Sequence, residues 1–225
     1  MGSVDLIALW LSLRLATLTT LLLLLLTAPL AWWLAIGTSR TRSVVDALVS
    51  LPLVLPPTVL GFYLLLLAPG GAIGVTLRAL GLPAPAFSFT GLVIGSMTYS
   101  LPFAVQPLRD AFQAIGARPL EVAATLRASP WDRFVSVALP LSKRGILTAA
   151  VLCFAHTLGE FGVVLMIGGN IPGRTQTASI ALFNHAEALE YGAAYHLSLT
   201  LVALCFGLLL TVYGANRRLR SGALL

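Results

Sequence analysis

The chain has 225 residues, of which 58% are hydrophobic and 10% are charged. A water-soluble domain of this size cannot bury so much apolar surface, so the composition excludes a soluble globular protein and predicts an all-α integral membrane protein. The formal net charge of +6 would suit a nucleic-acid-binding protein, but the basic residues are divided among loops, which argues against a nucleic-acid partner.

Five apolar runs reach the roughly 20 helical residues needed to cross about 30 Å of hydrocarbon. They predict a polytopic bundle of five transmembrane helices, and a short helix around Ser179–Phe183 would raise the count to six. The first run exceeds the roughly 7–15 residues of a signal-peptide core, so we expect a retained span. Cys153 and Cys205 fall inside runs, where free thiols act as small apolar groups. The runs are 15–37, 45–68, 89–108, 145–167 and 195–214.

Prolines mark the second and third runs. Pro52, Pro56 and Pro57 remove backbone donors within six positions and predict a kinked or delayed helix. This segment is either a gate element or a helix start near the membrane surface. Pro102 is expected to break the third run, and Gln106 is expected to hydrogen-bond to a neighbouring helix.

A polar, charged segment at 117–140 separates the third and fourth runs. We predict two short helices that meet near residues 127–130. Ser129 suits the N-cap of the second helix, Pro130 its first helical position and Asp132 its first turn. Such an elbow could dock onto a separate protein, or it could lie on lipid headgroups with Trp131 as an interfacial anchor.

The residue order of this segment resembles the cytoplasmic EAA loop of binding-protein-dependent ABC importer permeases. In that loop, Glu-Ala-Ala is followed at fixed spacing by Gly, an apolar residue and Leu-Pro. Val122 replaces the first Ala, and Arg127 stands at the Gly position, where it would adopt the turn only at an energetic cost. The matching positions are Glu121, Ala123, Val137, Leu139 and Pro140.

His156 and Glu160 are four residues apart in the fourth run, which predicts that they share a helix face. Ionisable groups at membrane depth are functional candidates. Two ligands on one helix leave a metal site incomplete, so we expect no metal site and no catalytic residue. A polar contact between helices is the first expectation for this pair, and lining of a conduit is the second.

Three stretches look like the corresponding regions of molybdate-type permeases. They are Gly159–Gly162, Gly169–Thr177, and Leu51–Pro57 with Gly61. Sulfate and thiosulfate permeases share part of the pattern, typically with Tyr in place of Phe161, and tungstate is nearly isosteric with molybdate. The resemblance therefore defines an oxyanion class better than it defines the anion.

The resemblance implies one transmembrane domain over residues 1–225, with the type I ABC importer permease fold. It further implies a homodimer with the conduit at the subunit interface, two cytoplasmic ATPase subunits that bind ATP-Mg, and an extracytoplasmic oxyanion-binding protein. No cofactor is expected in this chain, which lacks the Gly-x-x-x-x-Gly-Lys-Ser/Thr phosphate loop. The expected location is the cytoplasmic membrane of a prokaryote.

Basic residues then orient the bundle. With segment 117–140 in the cytoplasm, the cytoplasmic segments hold 11 of the 14 Lys and Arg residues. Five crossings would leave the N-terminus outside and the C-terminus in the cytoplasm.

The resemblance and the residue types give two sets of candidate sites. For the conduit we expect hydroxyls and backbone dipoles, because tight binding of a dianion would slow its exit. We expect Glu160 to be hydrogen-bonded or turned into a helix contact, since a bare carboxylate would repel the anion. The ATPase-coupling candidates are Glu121, Ala123, Ala124, Arg127, Ala128, Ser129, Pro130 and Pro140; the conduit or gate candidates are Pro56, Pro57, Ser100, Thr157, Glu160 and Asn170, with Ser96 and Thr98 as further hydroxyls.

Three alternatives stay open on the sequence alone. The cargo could be sulfate or thiosulfate. An ATP-independent transporter or membrane enzyme would need more intramembrane carboxylates than Glu160 supplies. A structural membrane subunit would show no ATP-dependent flux.

Overall fold

A computed structural model describes residues 2–70, 75, 79–81 and 85–221. Those residues form helices, with no strand in the described ranges, and the prediction of an all-α bundle is confirmed. The helices are α1 (Ser3–Ala35), α2 (Arg40–Val54), α3 (Pro57–Gly70), α4 (Phe89–Gln113), α5 (Arg118–Thr125), α6 (Pro130–Leu141, with a π-helical centre at Arg133–Ala138), α7 (Lys143–Gly159), α8 (Gly162–Gly168), α9 (Ala178–Glu187) and α10 (Tyr191–Ser221).

The five predicted apolar runs all fall on helices, in α1, α2 with α3, α4, α7 with α8, and α10. Within the described residues, Ser3–Ala35 and Tyr191–Thr211 are each long and apolar enough to cross a membrane alone. Two further pairs qualify only together: α2 with Pro57–Leu67, bent by 111°, and α6 with α7, bent by 76°. The short helix expected around Ser179–Phe183 is present as α9.

The core forms where α1, α4 and α7 pack together. Leu15 and Leu23 of α1 and Leu108 of α4 are almost completely buried. Gly145 allows α7 to approach α4 closely, because a Cβ at this position would lie 2.1 Å from the Ala111 Cβ. Small residues at helix contacts are typical of membrane bundles.

The second run is two helices and not one span. α2 ends at Val54, Leu55 is extended with ψ 136°, and α3 begins at Pro57. The predicted effect of the prolines is confirmed at Pro56 and Pro57, because proline forces the preceding residue out of the helical region. Pro52 lies inside α2 and does not end it.

Pro102 does not break the third run, so that prediction is wrong. α4 continues from Phe89 to Gln113 through both Pro102 and Pro107. Neighbouring helices can hold a proline-containing segment straight in a packed bundle, and Ala104 and Val105, just after Pro102, are fully buried. The expected interhelical bond of Gln106 is present, with its Nε2 donating to the Ser50 hydroxyl of α2 at 3.2 Å.

The fourth run is also broken, so the prediction that His156 and Glu160 share a helix face is wrong. α7 ends at Gly159, and Glu160 is extended with ψ 132° before α8 begins at Gly162. Glycines on both sides weaken the helix. The Ser179 hydroxyl of α9 donates to the Glu160 carbonyl and provides a partner from outside the helix.

Candidate coupling loop and conduit

The first helix of segment 117–140 ends in a Schellman motif centred on Arg127. The Ala128 N–H donates to the Ala123 carbonyl at 3.0 Å, and the Arg127 N–H donates to the Ala124 carbonyl at 2.9 Å. This bond pair places Arg127 at the position after the C-cap, where glycine is usual. Its φ of +62° lies in the left-handed region. The turn expected at the Gly position of the EAA pattern is therefore present, with an Arg in it.

The second helix begins as its sequence predicts. The Ser129 hydroxyl accepts a hydrogen bond from the Asp132 N–H at 3.1 Å, and Pro130 is the first helical residue. Asp132 also accepts a hydrogen bond from the Ser136 hydroxyl at 2.8 Å. The N-cap, the proline and the first-turn carboxylate together fix where α6 starts.

The aromatic side chain of Phe134 packs segment 117–140 against the transmembrane helices. Phe134 is buried, and its ring centroid lies 5.9 Å from that of Trp32 on α1 and 6.0 Å from that of Phe112 on α4. Phe134 lies in the π-helical part of α6, a conformation that is rare and often found at functional sites.

Segment 117–140 exposes large apolar side chains. Val122, Leu126 and Trp131 are 60%, 78% and 65% exposed. Val122 and Leu126 lie one helical turn apart at the C-terminal end of α5 and form an exposed apolar face suited to a partner protein. The Trp131 ring instead lies 5.3 Å from that of Phe134 and lines an apolar pocket with Leu24 and Leu25 of α1. Among the coupling candidates, Ala123 is buried and Ala128 is half-buried, whereas the exposed ones are Glu121, Ala124, Arg127, Ser129, Pro130 and Pro140.

A cavity of about 540 Å³ opens where the breaks in the second and fourth runs meet. Pro57 and Gly162 touch there, since a Cβ on Gly162 would lie 2.8 Å from the Pro57 Cβ. Pro56 lies at the break itself, one residue before α3. The lining residues are Pro57, Thr58, Tyr99, Ala155, His156, Gly159, Glu160, Phe161 and Gly162.

Glu160 is in the cavity wall but only 4% exposed. Its two carboxyl oxygens have no hydrogen-bond partner among the described residues, and neither has the Ser96 hydroxyl close to it. Of the two arrangements expected, the side-chain hydrogen bond is not found in the described part of the chain, and the buried position beside Ser96 of α4 corresponds to the helix contact. The main chain holds Glu160 in place instead, through Ser179.

Hydroxyls behind the cavity wall tie α4 to α7. The Ser100 hydroxyl lies 2.9 Å from both His156 Nδ1 and the Thr157 hydroxyl, and Ser100 and Thr157 are buried. The His156 ring stacks on Phe103 with centroids 4.0 Å apart. The polar contact between helices expected for His156 is confirmed. Ser96 is buried too, and the Thr98 hydroxyl donates to the Ile94 carbonyl of its own helix.

Asn170 lies in the connection between α8 and α9, with φ +55°. Its side-chain oxygen accepts hydrogen bonds from Gln176 at 3.0 Å and from Asn184 at 3.2 Å, and its amide donates back to Asn184 at 3.1 Å. Asn170 thus ties this connection to α9. Sequence reasoning singled out Asn170 but not its two amide partners.

Sequence reasoning missed two charged contacts at opposite ends of α1. Near its N-terminus, His185 lies 2.8 Å from Asp5 and 2.7 Å from Glu190. Beyond its C-terminus, Arg109 of α4 pairs with Asp46 of α2. His185 and Asp5 are 180 residues apart in the sequence, and Arg109 and Asp46 are 63 apart. No local pattern therefore indicates either pair.

Residues 27–221 match the family described as binding-protein-dependent transport system inner membrane component. The chain belongs to this family. It is 56% identical over 219 residues to the molybdenum transport system permease protein ModB of Azotobacter vinelandii, covering 97% of this chain and 96% of that one. Identity to ModB of Escherichia coli K12 is 35% over 220 residues, covering 96% of each. The resemblance to molybdate-type permeases is confirmed.

A solved structure shares the fold. The chain is similar to a chain of a bacterial alginate ABC transporter, crystallised in complex with an alginate pentasaccharide-bound periplasmic protein, with a TM-score of 0.76 and 18% identity. The similarity covers 97% of this chain and 80% of the other. At this identity the likeness shows the fold alone, and it confirms the type I ABC importer permease fold.

Proposed function

We propose that the chain is the permease subunit of an ATP-driven importer that carries molybdate, or the isosteric tungstate, across the cytoplasmic membrane. The observation that carries the proposal is the 56% identity, over 97% of the chain, to a permease named for molybdenum transport. Similarity over nearly the whole length includes the helices that form the cavity, as well as the loop that would meet the ATPase.

The working assembly has two copies of this chain, two ATPase subunits that bind ATP-Mg, and a binding protein that delivers the anion on the outer side. The N-terminus lies outside and the C-terminus in the cytoplasm. Exposed Val122 and Leu126 support a protein partner at the loop, and the basic residues concentrated on the same side support its cytoplasmic position.

The loop transmits the ATP-driven movement of the ATPase subunits to the transmembrane helices. The α5–α6 elbow docks in a groove of the ATPase, with Glu121, Ala123 and Ala124 on the first helix and Ser129, Pro130 and Pro140 on the second. Movement of the elbow reaches α1 and α4 through Phe134, whose ring packs against both Trp32 and Phe112. It reaches α7 through the 76° bend after α6, and α7 ends at the cavity.

The anion passes the cavity beside Tyr99, His156 and Glu160, with Ser100 and Thr157 supporting the wall from behind. No Lys or Arg is among the residues that line this cavity. A conduit without a cation cluster binds a dianion weakly and releases it readily. Selectivity then rests mainly on the binding protein. The bend at Pro56 and Pro57 forms the gate. Asn170 holds the connection between α8 and α9 in place.

Reconstitution with the partner ATPase in vesicles tests the proposal. ATPase activity and anion uptake are both measured with binding protein loaded with molybdate, tungstate or sulfate. Stimulation by molybdate and tungstate, but not by sulfate, is expected. Stimulation by sulfate would assign the sulfate or thiosulfate class, uptake without ATP would indicate an ion-coupled transporter, and no stimulation by any anion would overturn the importer assignment.

A further inference from the structure

Two arginines without acidic partners surround one small cleft near the N-terminal end of α1. Arg14 and Arg174 both line this cleft, which holds about 150 Å³, and both side chains are exposed. All eight Asp and Glu residues of the chain lie in its described part, and none of them forms an ion pair with either arginine. The cleft therefore concentrates positive charge that this chain does not neutralise.

The cleft is preformed. Arg14 lies with its Cζ 4.6 Å above the Phe89 ring, a stacking that leaves the N–H edges of its guanidinium group free. A turn fixes the backbone of Arg174, whose N–H donates to the Ile171 carbonyl at 3.1 Å. The next residue, Thr175, is fully buried and donates to the Gly168 carbonyl at 2.7 Å. Little order would be lost when an anion binds between the two guanidinium groups.

An apolar groove continues from the cleft along α1. Its volume is about 420 Å³, and it shares Trp10 and Arg14 with the cleft. Trp10 and Leu21 are 69% and 61% exposed. The further lining residues are Leu13, Thr17 and Leu18. A soluble anion would fill the cleft but leave this groove empty.

The length of α1 indicates where the cleft lies relative to the membrane. A helix of 33 residues is about 50 Å long, whereas the hydrocarbon core is about 30 Å thick. The apolar run that begins at residue 15 fills that core, so Arg14 lies at headgroup level. Trp10 is one turn further out, where tryptophan is enriched at membrane interfaces.

We propose that this cleft and groove bind an anionic phospholipid. The phosphodiester lies between Arg14 and Arg174, and one acyl chain follows the groove from Arg14 inward past Thr17 and Leu18 to Leu21. Arginine suits this role because its planar fork donates two parallel hydrogen bonds to a phosphate group. The charged cleft recognises the headgroup, and the groove requires a lipid tail.

Native mass spectrometry of the assembled transporter tests the site. The complex is titrated in detergent with phosphatidylglycerol or with phosphatidylcholine, and bound lipid is counted per chain. The unaltered chain is expected to retain one phosphatidylglycerol in preference to phosphatidylcholine. The double variant R14Q/R174Q is expected to lose at least tenfold in affinity for phosphatidylglycerol, whereas R40Q/K143Q, with the same change in net charge at exposed positions elsewhere, keeps it.

Two further arms keep the test decisive. R174Q alone alters an exposed loop side chain, so it leaves the fold intact and should weaken binding several-fold. Inorganic phosphate at millimolar concentration should not displace the lipid. The proposal is overturned by equal retention of the two lipids, by equal binding to R14Q/R174Q and R40Q/K143Q, by displacement with inorganic phosphate, or by a loss of binding-protein stimulation in R14Q/R174Q with unchanged lipid binding.

Discussion

Single residues carry strain and charge in this chain that a bundle of apolar helices does not require. Arg127 is the clearest instance, because it occupies a left-handed position with φ +62° at the end of α5. Left-handed backbone costs a residue with a Cβ about 1 kcal/mol. The Schellman hydrogen bonds hold Arg127 there.

Replacing Arg127 with Gly should raise the stability of the purified chain by roughly 1 kcal/mol, because Gly adopts positive φ without the Cβ penalty. Thermal unfolding in detergent measures the change. Arg127→Ala is the matched control, since it removes the same side chain and keeps the Cβ. If Ala stabilises the chain as much as Gly does, the effect comes from lost charge and not from backbone strain.

His185 joins α9 to the N-terminal end of α1. Its hydrogen bond to Asp5, with Glu190 on the other ring nitrogen, raises the pKa of His185 above its ordinary value. A pKa raised in the folded state means that protonation stabilises the fold. This contribution is fully present below about pH 6.5, the ordinary histidine pKa, and is lost as the pH rises through the folded-state pKa.

Thermal unfolding between acidic and mildly alkaline pH should therefore show a loss of stability as the pH rises. The variant His185→Gln should reduce that dependence. His196→Gln is the control, because His196 is exposed and forms no ion pair with any of the eight acidic residues. An unchanged pH dependence in His185→Gln would contradict the role given to the Asp5 contact.

At the scale of the elements, the start of α6 depends on a single cap. Ser129→Ala removes the acceptor for the Asp132 N–H and should cost the loop about 1 kcal/mol. We expect faster proteolysis of segment 117–140 and weaker ATPase stimulation, with membrane insertion unchanged. Ser136→Ala is the control, because it removes a neighbouring hydroxyl that bonds to Asp132 without capping the helix. Equal effects of the two substitutions would argue against the cap.

The contact of α3 with α8 at the cavity can be tested through two glycines in the same stretch. A Cβ on Gly162 would lie 2.8 Å from the Pro57 Cβ, whereas one on Gly159 would meet nothing within 4 Å. Overpacking costs about 1–3 kcal/mol. Gly162→Ala should thus reduce anion transport at least several-fold, and Gly159→Ala should have little effect. The close contact is not required for transport if both variants transport normally.

Local chemistry made some elements predictable. The Ser129 cap and the tandem Pro56–Pro57 break follow from neighbouring residues alone. Pro102 did not break α4, because packing on several sides decides whether an isolated proline disrupts a helix. The break at Glu160 was missed because the run from 145 to 167 is long and mostly apolar, and the bond from Ser179 that supports the break comes from another helix. The Asp46–Arg109 pair likewise forms only once α2 packs on α4.

At the scale of the whole molecule, two charged contacts join helices that are distant in sequence. His185 with Asp5 ties α9 to one end, and Arg109 with Asp46 ties α4 to α2 beyond the other. The loop is anchored to α1 and α4 through Phe134, so a force on the loop acts on the same helices that carry these contacts. A permease that alternates between two openings requires such connected helices.

The central claim is that this chain carries molybdate only when its loop engages an ATPase. The most direct measurement is the accumulation of molybdate by vesicles that contain the chain with its ATPase and binding protein, with and without ATP, for the unaltered chain and for Glu121→Ala. We predict ATP-dependent accumulation that excess sulfate does not suppress and that Glu121→Ala abolishes while the chain still inserts. Accumulation without ATP, or unaltered accumulation in Glu121→Ala, would contradict the account.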